Sequence, residues 1–342
     1  MNLTDFGYAI GRIRVLETRL LNQNEVERML AASDAKEAYR ILNELDYANH
    51  VGDIEKVENF QEVINAGLLD SKQILSEICP DPEVLLLLWL AYDIHNCKVL
   101  LKARLRQKAL EDVQSILSDL GAIKIAKLVE VIFAEQLVAF GLGPDYDQLL
   151  YQHLGKARKV LTKEGGLQAA DLIMDKAYFE LAKAIVQQKQ NSFLQEYLNH
   201  VIDLHNIGLI LRIAVAGEGL GPFSAAFIEG ASFARGVFEQ LSQKSPAEIV
   251  EALKNTAYGE MLIKTREDLS QHASFLELER QMYNHRIHFI RRAKLIAFGP
   301  EPIVAYFWTK LNNAQIIRLI MIGKLNGIPA EKIRPHLHDL YA

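Results

Sequence analysis

A short polar pattern occurs twice in the chain and contains the residue types that acid–base chemistry uses. Its first copy holds Asp93, His95, Asn96 and Lys102, and its second copy, 110 residues later, holds Asp203, His205, Asn206 and Arg212. A histidine two residues from a carboxylate could move protons in a reaction or help to bind a ligand. The pattern therefore raises two functional hypotheses, a hydrolase site and a repeated ligand site.

A third, weaker copy of the pattern favours a structural role. Asn312 and Arg318 follow the second copy by 106 residues, but no Asp or His accompanies them. On helical spacing all three asparagines share a stripe with apolar residues, which predicts that they are buried. A buried amide without partners costs about 1–3 kcal/mol. We therefore expect each Asn to hydrogen-bond the frayed backbone of a neighbouring helix.

Other candidate sites in the sequence are weak. It contains neither a phosphate-binding Gly-rich loop ending in Lys and Ser or Thr nor a dinucleotide fingerprint. His285 and His288 lie one helical turn apart, but the neighbouring arginines would repel a metal ion. The four cations from Arg286 to Lys294 could touch anionic lipid or a negative partner, although a solvated helix face is the simpler interpretation. We expect no catalytic residue, no metal and no cofactor.

Composition excludes several classes of protein. The chain has 342 residues, of which 50% are hydrophobic and 24% charged, and its net charge of −5 argues against binding nucleic acid through a general basic field. Its two cysteines, Cys79 and Cys97, provide no disulfide framework, which is typical of a reducing compartment. The N-terminus resembles no secretory signal, and the longest apolar run, 84–91, is shorter than the roughly 20 residues of a membrane span. We expect a cytoplasmic protein.

The elements that position the pattern are predicted to be helices. Apolar residues recur at helical spacing through residues 8–30, which predicts an amphipathic helix. Further helix starts are predicted at Ser33 or Asp34, after Pro80 and Pro300, and at Ser245 followed by Pro246. No segment shows convincing strand alternation. We predict an all-α protein with three related helical domains, at residues 1–110, 111–220 and 221–342.

With these motifs the chain resembles the C subunit of archaeal and bacterial V-type (A-type) rotary ATPases, the relative of the d subunit of the eukaryotic vacuolar ATPase. The resemblance rests on segments 92–102, 202–212, 303–318 and 323–329, and on the opening helix at 8–21. Each motif alone is weak, but three in order at this spacing are specific. The third copy departs from the family, because Leu311 and Asn313 are neutral where relatives often carry acids.

The resemblance implies an all-helical, funnel-shaped subunit of three domains in a pseudo-threefold arrangement. It implies a non-catalytic central-stalk subunit of the rotor, a peripheral part of a membrane-bound complex on the cytoplasmic face. Its expected partners are the proteolipid ring of the membrane sector and the central shaft of the soluble head, without nucleic acid or direct nucleotide binding. Its expected role is to couple ATP turnover to proton or sodium transport. The alternative hypothesis is a free all-helical cytoplasmic scaffold or adaptor.

Overall fold

The structure is a computed structural model that describes residues 2–52, 56–163, 165–217 and 220–341. Within these ranges all regular elements are helices, and no strand occurs, which confirms the prediction of an all-α fold. The chain forms two compact units, one of residues 1–80, 207–219 and 236–342 and the other of residues 81–206 and 220–235. We call them unit 1 and unit 2. The division into three repeated domains stays a prediction.

Unit 1 begins with five α-helices, which are α1 (Gly7–Glu17), α2 (Gln23–Ala31), α3 (Ala35–Arg40), α4 (Ala48–Val51) and α5 (Phe60–Ile78). Unit 2 contains α6 (Pro82–Leu105), α7 (Ile125–Ile132), α8 (Pro144–Leu161), α9 (Gly166–Lys189), the part of α10 (Ser192–Ala216) up to Asn206, and α11 (Leu220–Ala226). The rest of α10 lies in unit 1, as do nearly all of α12 (Arg235–Leu241) and the whole of α13 (Pro246–Leu253), α14 (Gly259–Glu267), α15 (Leu276–Ile290), α16 (Glu301–Leu325) and α17 (Ala330–Ile333).

Short 3-10 helices connect these elements, at Leu3–Phe6, Ile41–Glu44, Val57–Asn59, Gln114–Ile116, Arg291–Leu295 and Arg334–His336. One π-helical turn follows α14, at Asp268–His272. The predicted helix starts are confirmed. Asp34 caps α3, Asp81 caps α6 with Pro82 in the first turn, and Ser245 forms a capping box with Glu248 at the start of α13.

The predicted first helix is wrong in one respect, because residues 8–30 form two helices, α1 and α2. The break lies at Asn22, whose side chain accepts a hydrogen bond from the Asn24 amide at 2.8 Å. The Glu25 carboxylate accepts a hydrogen bond from the backbone N–H of Asn22 at 3.0 Å. This capping box starts a new helix. The apolar stripe also breaks here, because the positions three, four and seven residues after Leu20 are Gln23, Asn24 and Glu27.

Two of the long helices are apolar enough to be compared with membrane spans. By length and composition, Pro82–Leu105 and Ser192–Ala216 could cross a bilayer, and 72% and 56% of their most apolar windows are buried inside the protein. A core helix passes the same test when its side chains are buried by other helices. In unit 2, α6 packs against α7, α8 and α9, which explains its buried share.

In unit 1, α16 carries a charge into the core. The Lys310 side chain is 1% exposed, and its ammonium lies 2.5 Å from the Asp46 carboxylate and 4.2 Å from the centre of the Tyr47 ring. A buried ammonium is costly unless it is paired, and here a carboxylate and an aromatic face both serve as partners. Burial also raises the pKa of the Tyr47 hydroxyl. These contacts tie α16 to the loop that precedes α4.

Candidate functional site: a repeated backbone clasp

Three side chains of the first motif copy hydrogen-bond the backbone of one later segment, residues 116–123. The Asn96 amide donates to the Ser118 carbonyl at 2.8 Å and accepts from the Ser118 N–H at 2.9 Å. The Asp93 carboxylate accepts from the N–H groups of Ala122 and Ile123 at 3.0 and 2.9 Å. The His95 Nε2 lies 3.0 Å from the Ile116 carbonyl. We call this arrangement of three side chains and one segment the first clasp.

The second motif copy makes the same clasp with different residues. Asn206 donates to the Ile228 carbonyl at 2.8 Å and accepts from the Ile228 N–H at 3.0 Å. Asp203 accepts from the Ser232 N–H at 3.2 Å, and the His205 Nε2 lies 3.4 Å from the Ala226 carbonyl. In both clasps the Asn bond spans 22 residues and the His bond spans 21. The repeat therefore includes the loop as well as the helix.

In both clasps the His and the Asn bind different parts of the backbone segment. Ile116 and Ala226 are the last residues of short helices, so their carbonyls lack a helical partner and the histidines lie against them. Asn96 and Asn206 instead bind backbone two residues beyond the helix end. This differs from our expectation that the Asn binds the frayed helix itself. The Asn side chain makes both backbone hydrogen bonds of one residue that lies outside any helix, as a neighbouring strand would in a sheet.

This geometry leaves little capacity for catalysis. Asp93, Asn96 and Asp203 are 0% exposed and Asn206 is 1% exposed. Their oxygens face backbone N–H groups, and each histidine faces a carbonyl. A general acid or base needs a route to a substrate proton, and Asp93 and Asp203, buried against backbone N–H groups, have none. Among the described residues, no group of three or more His, Cys, Asp or Glu side chains could hold a metal ion.

Gly121 is a part of the first clasp that sequence reasoning missed. A Cβ at this position would lie 2.3 Å from an Asp93 carboxylate oxygen, which is closer than atoms can approach. The residue in the same place of the second copy is Ala231. The glycine therefore permits the tight approach of Asp93 to the loop. A comparison of the two copies at 110-residue spacing aligns these positions, but it does not by itself indicate the contact.

The third copy grips the end of the chain. The Asn312 amide donates to the Asp339 carbonyl at 2.9 Å, and its oxygen lies 3.1 Å from Nδ1 of His338. The Asp339 N–H donates to the side chain of Asn284 on α15 at 2.8 Å. His338 follows the last residue of the Arg334–His336 helix by two positions, as Ser118 and Ile228 follow theirs. We call this the third clasp.

The third copy is one helical turn longer than the other two. A left-handed residue lies five positions after the motif cation in the first two copies, Gln107 (φ 52°) and Gly217 (φ 67°). In the third copy that residue is Gly327 (φ 65°), nine positions after Arg318. The span from Asn312 to His338 is 26 residues instead of 22. An addition of about four residues, one turn at 3.6 residues per turn, accounts for both differences.

The glycine shared by the second and third copies has two different roles. Gly217 adopts a left-handed conformation at the end of α10, where L side chains are strained. Gly323 lies inside α16, where an added Cβ would lie 2.4 Å from the Ile333 side chain. Gly217 and Gly323 both stand five residues after the motif cation, so an alignment of the sequence at that cation pairs them and misses the extra turn. The structural counterpart of Gly217 is Gly327.

The three motif cations each bind a neighbouring long helix. The Lys102 ammonium lies 2.7 Å from Asp171 on α9. The Arg212 guanidinium lies 3.1 Å from Glu279 on α15. Arg318 donates to Gln61 on α5 at 2.8 Å, so the third cation has a neutral partner where the first two have carboxylates.

The positions where the chain departs from its resemblance are also neutral. Asn313 is 2% exposed, and with its amide suitably oriented it accepts from the Leu21 N–H at 3.0 Å and donates to the Thr309 carbonyl at 3.3 Å. A carboxylate there would be buried.

The basic segment from Arg286 to Lys294 is engaged with aromatic rings and with the C-terminal tail. The Arg286 guanidinium lies 4.9 Å from the Trp308 ring, and the Lys294 ammonium lies 4.7 Å from the Tyr341 ring. Arg291 donates to the Leu340 carbonyl. His288 pairs with Asp339 at 2.8 Å. The ring of His285, just before this segment, lies 5.0 Å from the Tyr258 ring.

The fold and the clasps define an all-helical protein in which one polar motif is used repeatedly for structure. Comparison with known proteins gives the family: the chain belongs to the ATP synthase (C/AC39) subunit family, whose sequence model matches residues 9–336. This confirms the resemblance and identifies the protein as part of a rotary ATPase.

Three relatives illustrate the similarity. The C subunit of the A-type ATP synthase of Methanocaldococcus jannaschii is 23% identical, over 99% of this chain and 88% of its own length. The C subunit of the V-type sodium ATPase of Enterococcus hirae is also 23% identical, over 96% of this chain and 97% of its own. The C subunit of the A-type ATP synthase of Pyrococcus horikoshii is 26% identical, over 77% of this chain and 71% of its own.

Proposed function

We propose that this chain is the non-catalytic central-stalk subunit of its rotary ATPase, a rotor part that joins the central shaft of the soluble head to the proteolipid ring. In this proposal it transmits torque, and the complex moves protons or sodium ions. Family membership over residues 9–336 is the observation that carries the proposal. The relatives support it, because A-type ATP synthase and V-type sodium ATPase are the complexes named in their descriptions.

The clasps support a mechanical role. A part that transmits torque must resist deformation, and each clasp fixes a loop or chain end to a long helix through buried hydrogen bonds. We infer that the ten motif residues serve this rigidity and bind no ligand. A soluble head with its own catalytic chains would need nothing chemical from such a part, and the sequence contains no phosphate-binding loop.

We further propose three related domains, at residues 1–110, 111–220 and 221–342, in a funnel-shaped, pseudo-threefold arrangement. The contacts of the motif cations support this, because each long helix that carries the motif binds the side of another repeat's helix. The third of them, α16, binds α5 near the start of the chain. The boundary at residue 220 adjoins Glu218 and Gly219, which lie outside the described residues.

The test is a reconstituted complex prepared with and without this chain. The soluble head should still hydrolyse ATP without it, because catalysis lies on other chains, but the shaft should have no fixed contact with the ring. A stable contact of this kind buries roughly 1,200–2,000 Å². We expect ion pumping per ATP in vesicles to fall strongly and to recover when the purified chain is added back. The isolated chain should not hydrolyse ATP.

Two outcomes would overturn the proposal. If vesicles without the chain pump as many ions per ATP as the intact complex, the coupling role is wrong. We propose that the complex lies at the cytoplasmic face of the membrane. If the chain does not purify with the proteolipid ring from that membrane, a free helical adaptor becomes the better explanation. Repeating the assay with proton and sodium gradients identifies the transported ion.

A further inference from the structure

Unit 1 exposes a set of large apolar side chains on α1 and on the segment that follows α15. Leu295 is 92% exposed, Tyr8 67%, Val15 63% and Phe298 51%. Single exposed apolar residues are common on protein surfaces, so their proximity decides whether they form one surface.

Contacts along α1 show that these residues do lie together. The Arg14 guanidinium donates to the carbonyls of Ala293, Lys294 and Ile296 at 3.0–3.1 Å, which fixes this segment beside the second turn of α1. At the first turn, a Cβ at Gly7 would lie 4.0 Å from the Phe298 ring. The segment therefore runs along α1 past positions 14 and 7.

Helical geometry extends this surface onto α1 itself. At 100° per residue, positions 8 and 15 lie next to the row formed by positions 7, 11 and 14. Tyr8 and Val15 thus border the segment that presents Leu295 and Phe298. Gly11, between them, has no atom within 4 Å of an added Cβ, so no other described part of unit 1 covers the centre of this face. We call these four exposed apolar residues with Gly11 the α1 face.

The charge around the α1 face is positive, although the whole chain carries −5. Arg12 on α1, Arg19 just after α1 and Lys294 next to Leu295 are exposed. Residues 286–298 contain no Asp or Glu. The acid of α1, Glu17, is bonded to Arg14 at 2.7 Å, and Asp5 accepts from the Asn2 N–H at 2.9 Å. The local charge is therefore complementary to an anionic surface.

We propose that the α1 face contacts the anionic headgroups of a lipid bilayer, with Leu295 and Phe298 inserted at the level of the headgroups. Aromatic and aliphatic side chains beside Lys and Arg are the combination that gains from both the apolar and the anionic part of a membrane surface. An acidic protein surface could pair the cations, but it would gain from Leu295 and Phe298 only if it also offered apolar pockets for them, whereas a bilayer surface combines both. The proposal goes beyond the rotor role and does not require it.

The test is flotation of the full-length chain with vesicles. We expect binding to vesicles of equal parts phosphatidylglycerol and phosphatidylcholine, little binding to pure phosphatidylcholine, and weaker binding as salt is raised. Leu295→Ser with Phe298→Ser should lower the partition coefficient by on the order of tenfold. The matched control is Leu137→Ser, because Leu137 is equally exposed at 90% and lies in unit 2.

A second pair of variants tests the charge. Arg12→Glu with Arg19→Glu should reduce binding by on the order of tenfold or more. Lys108→Glu with Lys124→Glu, exposed cations of unit 2, changes the net charge equally and should have little effect. Circular dichroism of every variant checks that the helices are intact.

Several results would overturn the proposal. They are no binding to the anionic vesicles, equal binding by the Leu295→Ser and Phe298→Ser variant, or equal losses in the control pair. If soluble polyglutamate binds the chain as tightly as the vesicles do and the serine variant binds it unchanged, the face recognises an acidic polymer instead of a membrane.

Discussion

The first two clasps and the third hold the same kind of backbone segment in different ways. In the first two, Asp, His and Asn of one helix grip a loop that continues into another helix. In the third, Asn312 holds the last residues of the chain together with Asn284, Arg291 and His288 from α15 and the segment after it. In the third clasp, side chains outside the motif therefore make contacts where the motif lacks Asp and His.

The comparison shows which part of the motif is indispensable. In the first two clasps the Asp and His of the motif hold the backbone together with the Asn. In the third clasp Asn284, Arg291 and His288 contact residues 339 and 340 instead. The Asn is the side chain that all three clasps share, and in each of them its amide donates to a backbone carbonyl, which a carboxylate cannot do.

Replacement of the asparagines in the clasps should cause the largest loss of stability. Asn96→Leu or Asn206→Leu leaves one backbone N–H and one C=O without partners, and each variant should lower the free energy of unfolding by about 1–3 kcal/mol. Asn312→Leu should cost less, about 1 kcal/mol, because the Asp339 N–H keeps Asn284 as its partner.

The two tryptophans allow the effects to be measured unit by unit in denaturant titrations. Trp89 lies in unit 2 and Trp308 in unit 1, so Trp308→Phe and Trp89→Phe backgrounds each report one unit. Asn24→Leu on the exposed surface of α2 is the control and should leave the midpoints unchanged. Equal losses for Asn312 and Asn206 would show that the third clasp is no weaker than the second.

The substitution Gly121→Ala should distinguish the first clasp from the second, because only the first has a glycine at this position. The new Cβ would collide with the Asp93 carboxylate, so Asp93 must withdraw from the amides of Ala122 and Ile123. We expect a loss of about 2 kcal/mol in unit 2. The reverse change at the equivalent position, Ala231→Gly, should cost at most about 1 kcal/mol. An unchanged midpoint for Gly121→Ala would mean that Asp93 contributes little to the clasp.

The third clasp should respond to pH through His338. Burial, with a smaller contribution from Arg280, lowers the pKa of His338 from its ordinary 6.5 to about 4, while Asp339 opposes this change. The unfolded chain therefore takes up a proton that the folded chain refuses. Stability from the neutral histidine is complete above pH 6.5 and is lost as the pH falls towards about 4.

The measurement is the unfolding midpoint reported by Trp308 between these two pH values. Wild type should lose more stability than His338→Gln over that interval, because glutamine does not titrate. The neutral ring also stacks on Tyr283, with centroids 4.4 Å apart, so the variant should be less stable at high pH. Parallel pH curves for the two proteins would contradict the prediction.

The motif cations should give the smallest effect. Lys102→Met removes a partly exposed ion pair with Asp171 and should cost about 0.5 kcal/mol at low salt, and less as salt is raised. Arg318→Met removes hydrogen bonds to the neutral side chains of Gln61 and Asn65, so its cost should depend less on salt than that of Lys102→Met. The same salt dependence for both variants would show that the neutral partners do not distinguish the third copy.

Much of the fold was predictable because its signals are local. The helical period, the caps at Asp34, Asp81 and Ser245, and the prolines that follow them act within one turn of backbone, and the all-α prediction is confirmed. The capping box at Asn22 is equally local, and it is the sequence signal that divides the first predicted helix into two.

The sequence by itself determined the helices, the recurrence of the Asp–His–Asn pattern and, through family resemblance, the class of protein. Only the tertiary structure decided what that pattern holds, because its partners are backbone groups 21 to 30 residues away, and every residue type except proline offers the same N–H and C=O. The closure of the third clasp by residues 338 and 339 was decided in the same way. Leu337, Asp339 and Leu340 repeat Leu117, Asp119 and Leu120 of the first loop, but so short a match becomes meaningful only when the structure places His338 where Ser118 lies, two residues beyond a short helix.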